Sequence, residues 1–192
     1  MTLAAALLVT AYLVAFVVLN RRASRKAGGK VDHYRHATGL QALTAWLFRI
    51  GFIGSLIWGW WRHFAGLSAS VAPAMSLIGT LVIVAGAGLA LWAQWTMSAS
   101  WRMGAVEGGG GALIEQGPFG FSRNPTFVGH MMIFSGAWIV SPDIPQAILA
   151  MAVIAAAVIQ VGIEEPVLRR DPGAAYEAYA ARVPRWLGWP GR

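Results

Sequence analysis

The chain has 192 residues, 57% of them hydrophobic and 12% charged, with a formal net charge of +7. Against a globular norm of roughly 45–50% apolar and about 25% charged residues, this composition belongs in lipid rather than water, where a basic balance reflects lysines and arginines held at the cytoplasmic face and not nucleic-acid binding. The absence of cysteine excludes disulfides, thiolate nucleophiles and cysteine-ligated metals.

In chain order, the first apolar run, residues 3–19, reaches the lower limit of the roughly 17–25 residues that cross a bilayer as a helix. Its basic residues, Arg21, Arg22, Arg25 and Lys26, follow it and none precedes it. That is the reverse of a cleaved signal peptide and predicts a retained anchor. A second run, 40–61, is interrupted by Arg49, and a third, 74–97, carries Gly79, Gly86 and Gly88, small residues on which helices approach closely. The glycines 108–111 match neither a GxGxxG turn nor a Walker loop and read as a connector. Two further runs, 125–140 and 144–163, flank Ser-Pro-Asp-Ile-Pro, whose prolines predict a tight turn between antiparallel helices. Residues 164–192 are polar enough to leave the bilayer as a cytoplasmic helical tail.

The expectation is one all-α domain over 1–192, a transmembrane bundle of about five spans with the N-terminus outside. That orientation places every lysine and arginine on the inner side except Arg62 and the intramembrane Arg49, which is the asymmetry of the positive-inside rule. Trp58, Trp60 and Trp61 then fit an outer aromatic belt, and Trp101, Trp186 and Trp189 the inner interface.

Polar side chains gather at the cytoplasmic mouth. Pro125 suits the first turn of a helix and extends Asn124, which becomes an N-cap candidate. Glu164 and Glu165 end the fifth span and call for a cationic partner, with Arg123, Arg182, Arg185 or a cationic ligand available. Arg49 lies roughly 13 Å into its span, where an arginine is a functional candidate by default, paired with a substrate carboxylate or a glutamate. Gly117, Pro118 and Gly120 let backbone N–H groups approach a ligand. The four histidines, His33, His36, His63 and His130, lack HExxH spacing, so no metal site is expected, and His130 reads as a hydrogen-bonded packing residue.

Three segments, SWRMG (100–104), LIEQGPFGFSRNPTFVG (113–129) and EEPVLRRDPGAAYEAYAARVPR (164–185), resemble the isoprenylcysteine carboxyl methyltransferase family and the related phospholipid N-methyltransferases. The family pattern runs GPY, RHPxYxG, EE and YxxYxxxVP. The resemblance implies a multi-span enzyme that takes S-adenosylmethionine from the cytosol and a lipophilic small-molecule or lipidated acceptor from the bilayer. On that resemblance Gly117, Pro118, Phe119, Arg123, Asn124, Phe127, Gly129, Glu164, Glu165, Tyr176 and Tyr179 form the cofactor-binding set. Arg49, Arg182 and Arg185 are the catalytic candidates that orient the acceptor.

Two departures matter: Asn124 stands where the family has histidine, and Phe127 where it has tyrosine. An amide cannot titrate near neutral pH. A carboxylate acceptor needs only a cation to orient it, whereas an ammonium must first lose a proton to a base. The arginine-rich mouth therefore favours a carboxylate. A membrane-embedded NADPH-dependent sterol-type reductase, with Arg169 and Arg170 on the cofactor phosphate, and a non-catalytic membrane subunit or carrier are the alternatives. Richness in alanine, glycine, arginine and tryptophan points to a bacterial cytoplasmic membrane, with membrane lipids as the surroundings, no nucleic-acid partner, and an oligomeric state that glycine spacing leaves open.

Overall fold

The computed structural model describes residues 3–28, 34, 37–67, 71–101, 113–171 and 173–188. The glycines 108–111, residues 102–104 of SWRMG, His33, His36 and Trp189 lie outside the described residues. Six α-helices and no strand occur among the described residues: α1 (Leu3–Lys26), α2 (Gly39–Phe64), α3 (Pro73–Met97), α4 (Pro125–Val140), α5 (Ile144–Arg170) and α6 (Ala174–Arg182). Helices α1, α2, α3 and α5 are each long and apolar enough to cross a membrane, while α4 is a shorter apolar helix of 16 residues. Their outward faces carry large apolar side chains such as Ile57, 64% exposed, and Ile144, 75% exposed, as lipid-facing helices do.

Two helices outrun the spans expected from polarity. α1 continues past Leu19 to Lys26, and its last turns are tied to the end of α3: the Arg22 guanidinium lies 4.2 Å over the Trp95 ring and Lys26 Nζ donates to Ser98 Oγ at 3.1 Å. α5 runs on from Glu164 through Pro166 to Arg170. Hydropathy locates where a chain leaves lipid, but the i to i−4 bonding of a helix does not stop there.

The core is built around α4, in which ten of sixteen residues are buried. Its glycines form a seam with those of α3. A Cβ at Gly129 would lie 2.6 Å from the Gly86 carbonyl oxygen, and one at Gly136 would lie 2.7 Å from that of Gly79. The seven-residue spacing on both helices sets these pairs in register, so the two backbones touch where any side chain would hold them apart. Gly51 in α2 is likewise filled by Val153 of α5, and Gly54 by Leu149.

The two ends of the bundle differ. At one end the expected turn between α4 and α5 is capped by Asp143, which accepts from Gln146 N (2.9 Å), Ser141 Oγ (2.7 Å) and Trp58 Nε1 (2.9 Å) and pairs with Arg62 Nη1 at 3.1 Å. Partial burial pushes this carboxyl up, but the three hydrogen bonds and the guanidinium outweigh it and hold it below its ordinary value. Trp60 packs partly buried at this end and donates to Thr10 Oγ1 at 3.0 Å, so it joins α2 to α1. Trp101, 5% exposed at the opposite end, donates to Asn20 Oδ1 at 3.0 Å and is equally a packing residue.

Candidate functional site

The opposite end collects the starts of α2 and α4, the ends of α1, α3 and α5, and all of α6. α6 begins at Gly173, whose φ of 55° is in the region that favours glycine, and ends where Val183 extends before Pro184. Its buried tyrosines, Tyr176 and Tyr179, three apart, share the face turned toward the bundle. The Tyr179 hydroxyl donates to the Phe119 carbonyl at 2.8 Å and fastens the 3-10 turn Gly117–Gly120, in which Pro118 and Phe119 are buried. Gly117 has φ 61°, and a Cβ there would lie 3.3 Å from Thr96 Oγ1, which seats the turn on the end of α3. Burial of both phenols holds them above their ordinary ionisation range.

Residues 183–188 then run back across the start of α4. Arg123 N donates to the Pro184 carbonyl at 3.0 Å, Asn124 Nδ2 to the Arg185 carbonyl at 3.0 Å, and Gly188 N to the Phe121 carbonyl at 3.3 Å. Asn124 thus occupies the N-cap position without capping through its side chain: the amide holds the strap instead, and Asn124 N donates to Ser122 Oγ at 3.1 Å. Pro125 stands in the first turn, as expected.

Within this clamp lies one buried carboxylate shared by two guanidinium groups. Glu165, 6% exposed, pairs with Arg123 Nη1 at 3.1 Å. It also accepts two bonds from Arg185, Nε at 2.9 Å and Nη2 at 2.5 Å. Arg123 Nη1 donates to Tyr176 Oη at 3.1 Å as well, while its Nε is buried with no hydrogen-bond partner among the described residues. The two hydrogen bonds to Glu165 and its charge raise the Arg185 guanidinium above its ordinary value. Two cations on one carboxylate leave a net positive charge and an unused N–H, features that suit an anionic group.

The structure brings Arg123, Asn124, Glu165, Tyr176, Tyr179 and Arg185 together with the Gly117-Pro118-Phe119 turn, and it sets the other sequence candidates elsewhere. Glu164 turns to α2: its Oε1 accepts from Gln160 Nε2 at 2.9 Å, and Gln160 Oε1 accepts from Thr44 Oγ1 at 2.6 Å. It makes no ion pair among the described residues. Arg182 pairs on the surface with Glu115 at 2.7 Å. Arg49 lies 5.2 Å from the ring of lipid-facing Trp46 rather than beside either glutamate. Gly129 serves the α3–α4 seam. Phe127 stacks on Phe48 of α2, with ring centroids 5.9 Å apart and planes 10° off parallel.

That stack belongs to an aromatic group the sequence did not single out. Tyr12, Phe16, Phe48, Phe52 and Phe127 surround the His130 ring with centroids 5.0 to 6.3 Å away. The available signal was spacing, since 12 and 16, and 48 and 52, are i, i+4 pairs that lie on one helix face. His130 is not the hydrogen-bonded packing histidine expected: both ring nitrogens, like Tyr12 Oη and Gln94 Oε1, are buried without a partner among the described residues.

A family model described as phospholipid methyltransferase matches residues 74–173, more than half of the chain, from the start of α3 to the start of α6. No curated protein and no solved structure matches the chain.

Proposed function

The chain belongs to the phospholipid methyltransferase family of integral-membrane methyltransferases, and from that premise we propose that it methylates a lipophilic, membrane-partitioned acceptor with S-adenosylmethionine, in the manner of the isoprenylcysteine carboxyl methyltransferases. The observation that carries the proposal is the Arg123–Glu165–Arg185 group at the start of α4, built on the buried carboxylate of Glu165. Its fit to the cofactor rests on charge. The orphaned Arg123 Nε and the half-exposed Arg185 suit the carboxylate of the cofactor's amino-acid end. Glu164, whose carboxylate no cation neutralises among the described residues, suits its ammonium or sulfonium. Tyr176, Tyr179, Asn124 and the turn from Gly117 to Phe119 hold these groups in place.

When bound, S-adenosylmethionine supplies an electrophilic methyl: an acceptor oxygen forms the new C–O bond as the S–CH3 bond breaks, and the electron pair stays on sulfur. A carboxylate acceptor suits these residues because anion and sulfonium become neutral ester and thioether with no proton moved, and Asn124 cannot serve as a base. The protein's part is positioning, the main source of rate in such an in-line displacement. By the positive-inside rule this basic end of the bundle faces the cytoplasm, in a bacterial membrane.

The test is equilibrium binding of S-adenosylhomocysteine to the purified protein in lipid nanodiscs. The wild type binds, and Arg123→Gln weakens binding by about tenfold, equal to about 1.4 kcal/mol. Absence of binding to the wild type, or an equal affinity in the variant, refutes the assignment. Quenching of NADPH fluorescence in place of binding would transfer the site to a reductase.

A further inference from the structure

In a bundle surrounded by lipid, a buried polar atom without a partner has no water to fall back on, so it is destabilising. Two residues with such atoms touch one another through their rings: Tyr12 of α1, 2% exposed, and His130 of α4, 5% exposed, with centroids 5.9 Å apart. Tyr12 Oη and both His130 nitrogens have no hydrogen-bond partner among the described residues. Around them stand the apolar rings of Phe16 at 5.6 Å, Phe48 at 6.1 Å, Phe52 at 5.0 Å and Phe127 at 6.3 Å from the His130 centroid. His130 follows Asn124 by six residues, which places it about 9 Å deeper along α4 than the charged group. Packing alone would put phenylalanine at both positions, and an apolar core of this kind has no use for a hydroxyl and an imidazole.

We propose that Tyr12 and His130 are the hydrogen-bond donors that seat the acceptor's carboxylate, with the phenylalanines between α1, α2 and α4 holding its apolar body. The proposal rests on the methyl-transfer reading above and adds to it the residues that choose the acceptor. A neutral imidazole carries one N–H and a phenol one O–H, so the pair offers two donors to the two oxygens of a carboxylate. No base is required, because a carboxylate delivers its lone pair without losing a proton. An ammonium or a thiol would have to leave its proton on His130, whereas a carboxylate meets an N–H and an O–H whose protons stay in place. Tyr12 and His130 are thus positioning residues that hold the reacting oxygen toward the start of α4, where the proposed cofactor site lies.

The test is a matched series of radiolabelled probes, dodecanoate, dodecanol and dodecylamine, binding to the wild type in nanodiscs saturated with S-adenosylhomocysteine. Dodecanoate binds the wild type at least about tenfold more tightly than the other two, equal to about 1.4 kcal/mol. Tyr12→Phe and His130→Phe each lose about that factor for dodecanoate alone, His130→Gln, which keeps an N–H, recovers part of it, and S-adenosylhomocysteine affinity is unchanged. Because Tyr12→Phe removes one unpaired oxygen and no packing, it folds and raises the midpoint of thermal unfolding, which keeps the test decisive if His130→Phe does not fold. Equal binding of the three probes to the wild type, or full dodecanoate affinity in Tyr12→Phe, overturns the proposal. Failure of the wild type to bind S-adenosylhomocysteine strikes the cofactor reading instead, and the probe series run without it still decides the role of Tyr12 and His130.

Discussion

Glu164 and Glu165 are neighbours in sequence with different surroundings, and replacing each by glutamine separates them. In Glu165→Gln the amide keeps the shape but removes the charge facing Arg123, whose side chain is 10% exposed against 8% for Glu165. Breaking a buried pair by removing one partner costs about 3–5 kcal/mol, and the retained amide oxygen places this variant near about 3 kcal/mol. The Arg185 half of the group adds little, because its side chain is 50% exposed and screened. At about 2–4 °C per kcal/mol for a chain of this size, the unfolding midpoint falls by about 6–12 °C. Glu164→Gln loses one charged acceptor for Gln160 and keeps a neutral one, a change of about 1 kcal/mol or less and under about 4 °C. Thermal scans of intrinsic fluorescence in nanodiscs, with ten tryptophans as reporters, read both. Equal shifts in the two variants, or a drop below about 2 °C in Glu165→Gln, would refute the account of a carboxylate shared by two arginines.

The α3–α4 seam predicts that Gly129→Leu destabilises by at least about 1–3 kcal/mol, since the first added carbon already meets the Gly86 carbonyl. Gly88→Ala, with nothing within 4 Å, is neutral or slightly stabilising, and the same scans rank the two. Asp143 has a lowered folded value, so its contribution is complete above the ordinary carboxyl range and is lost as pH falls through the folded value. Denaturant midpoints between pH 6 and 3 should therefore fall more steeply for the wild type than for Asp143→Asn, and parallel curves would count against the cap. Arg182→Ala, at an exposed pair worth under about 1 kcal/mol, should leave S-adenosylhomocysteine affinity within about twofold by titration calorimetry, and a larger loss would return Arg182 to the site.

Much of the architecture was legible because hydropathy and charge act locally: long apolar runs became helices, and the prolines around Asp143 became a turn. The pairing of Arg123 with Glu165 was also within reach, because both border apolar runs at the same end. What stayed hidden was rotational. Adjacent residues on a helix point about 100° apart, so whether Glu164 or Glu165 meets Arg123 depends on how α5 is turned, and that is set by Leu149 and Val153 filling the space at Gly54 and Gly51. Composition carries no trace of such a fit. The aromatic group around His130 was hidden for a related reason, since each i, i+4 pair is visible alone but their convergence requires three helices to be placed. Helices α1 and α5 run past the spans read from polarity because polarity marks the edge of the lipid, not the edge of the hydrogen-bonded ladder.

The shortness of α4 carries a consequence for traffic. Sixteen residues rise about 24 Å, some 6 Å less than the hydrocarbon thickness of a bilayer of about 30 Å. On the proposed reading the polar floor at Arg123 lies beneath the plane of the headgroups, like a well cut partway into a wall. A water-borne reagent descends a few ångströms and a lipid-borne one drifts sideways at its own depth, so neither has to abandon its preferred medium for the two to collide. Lengthening α4 by one turn would raise that floor and part them.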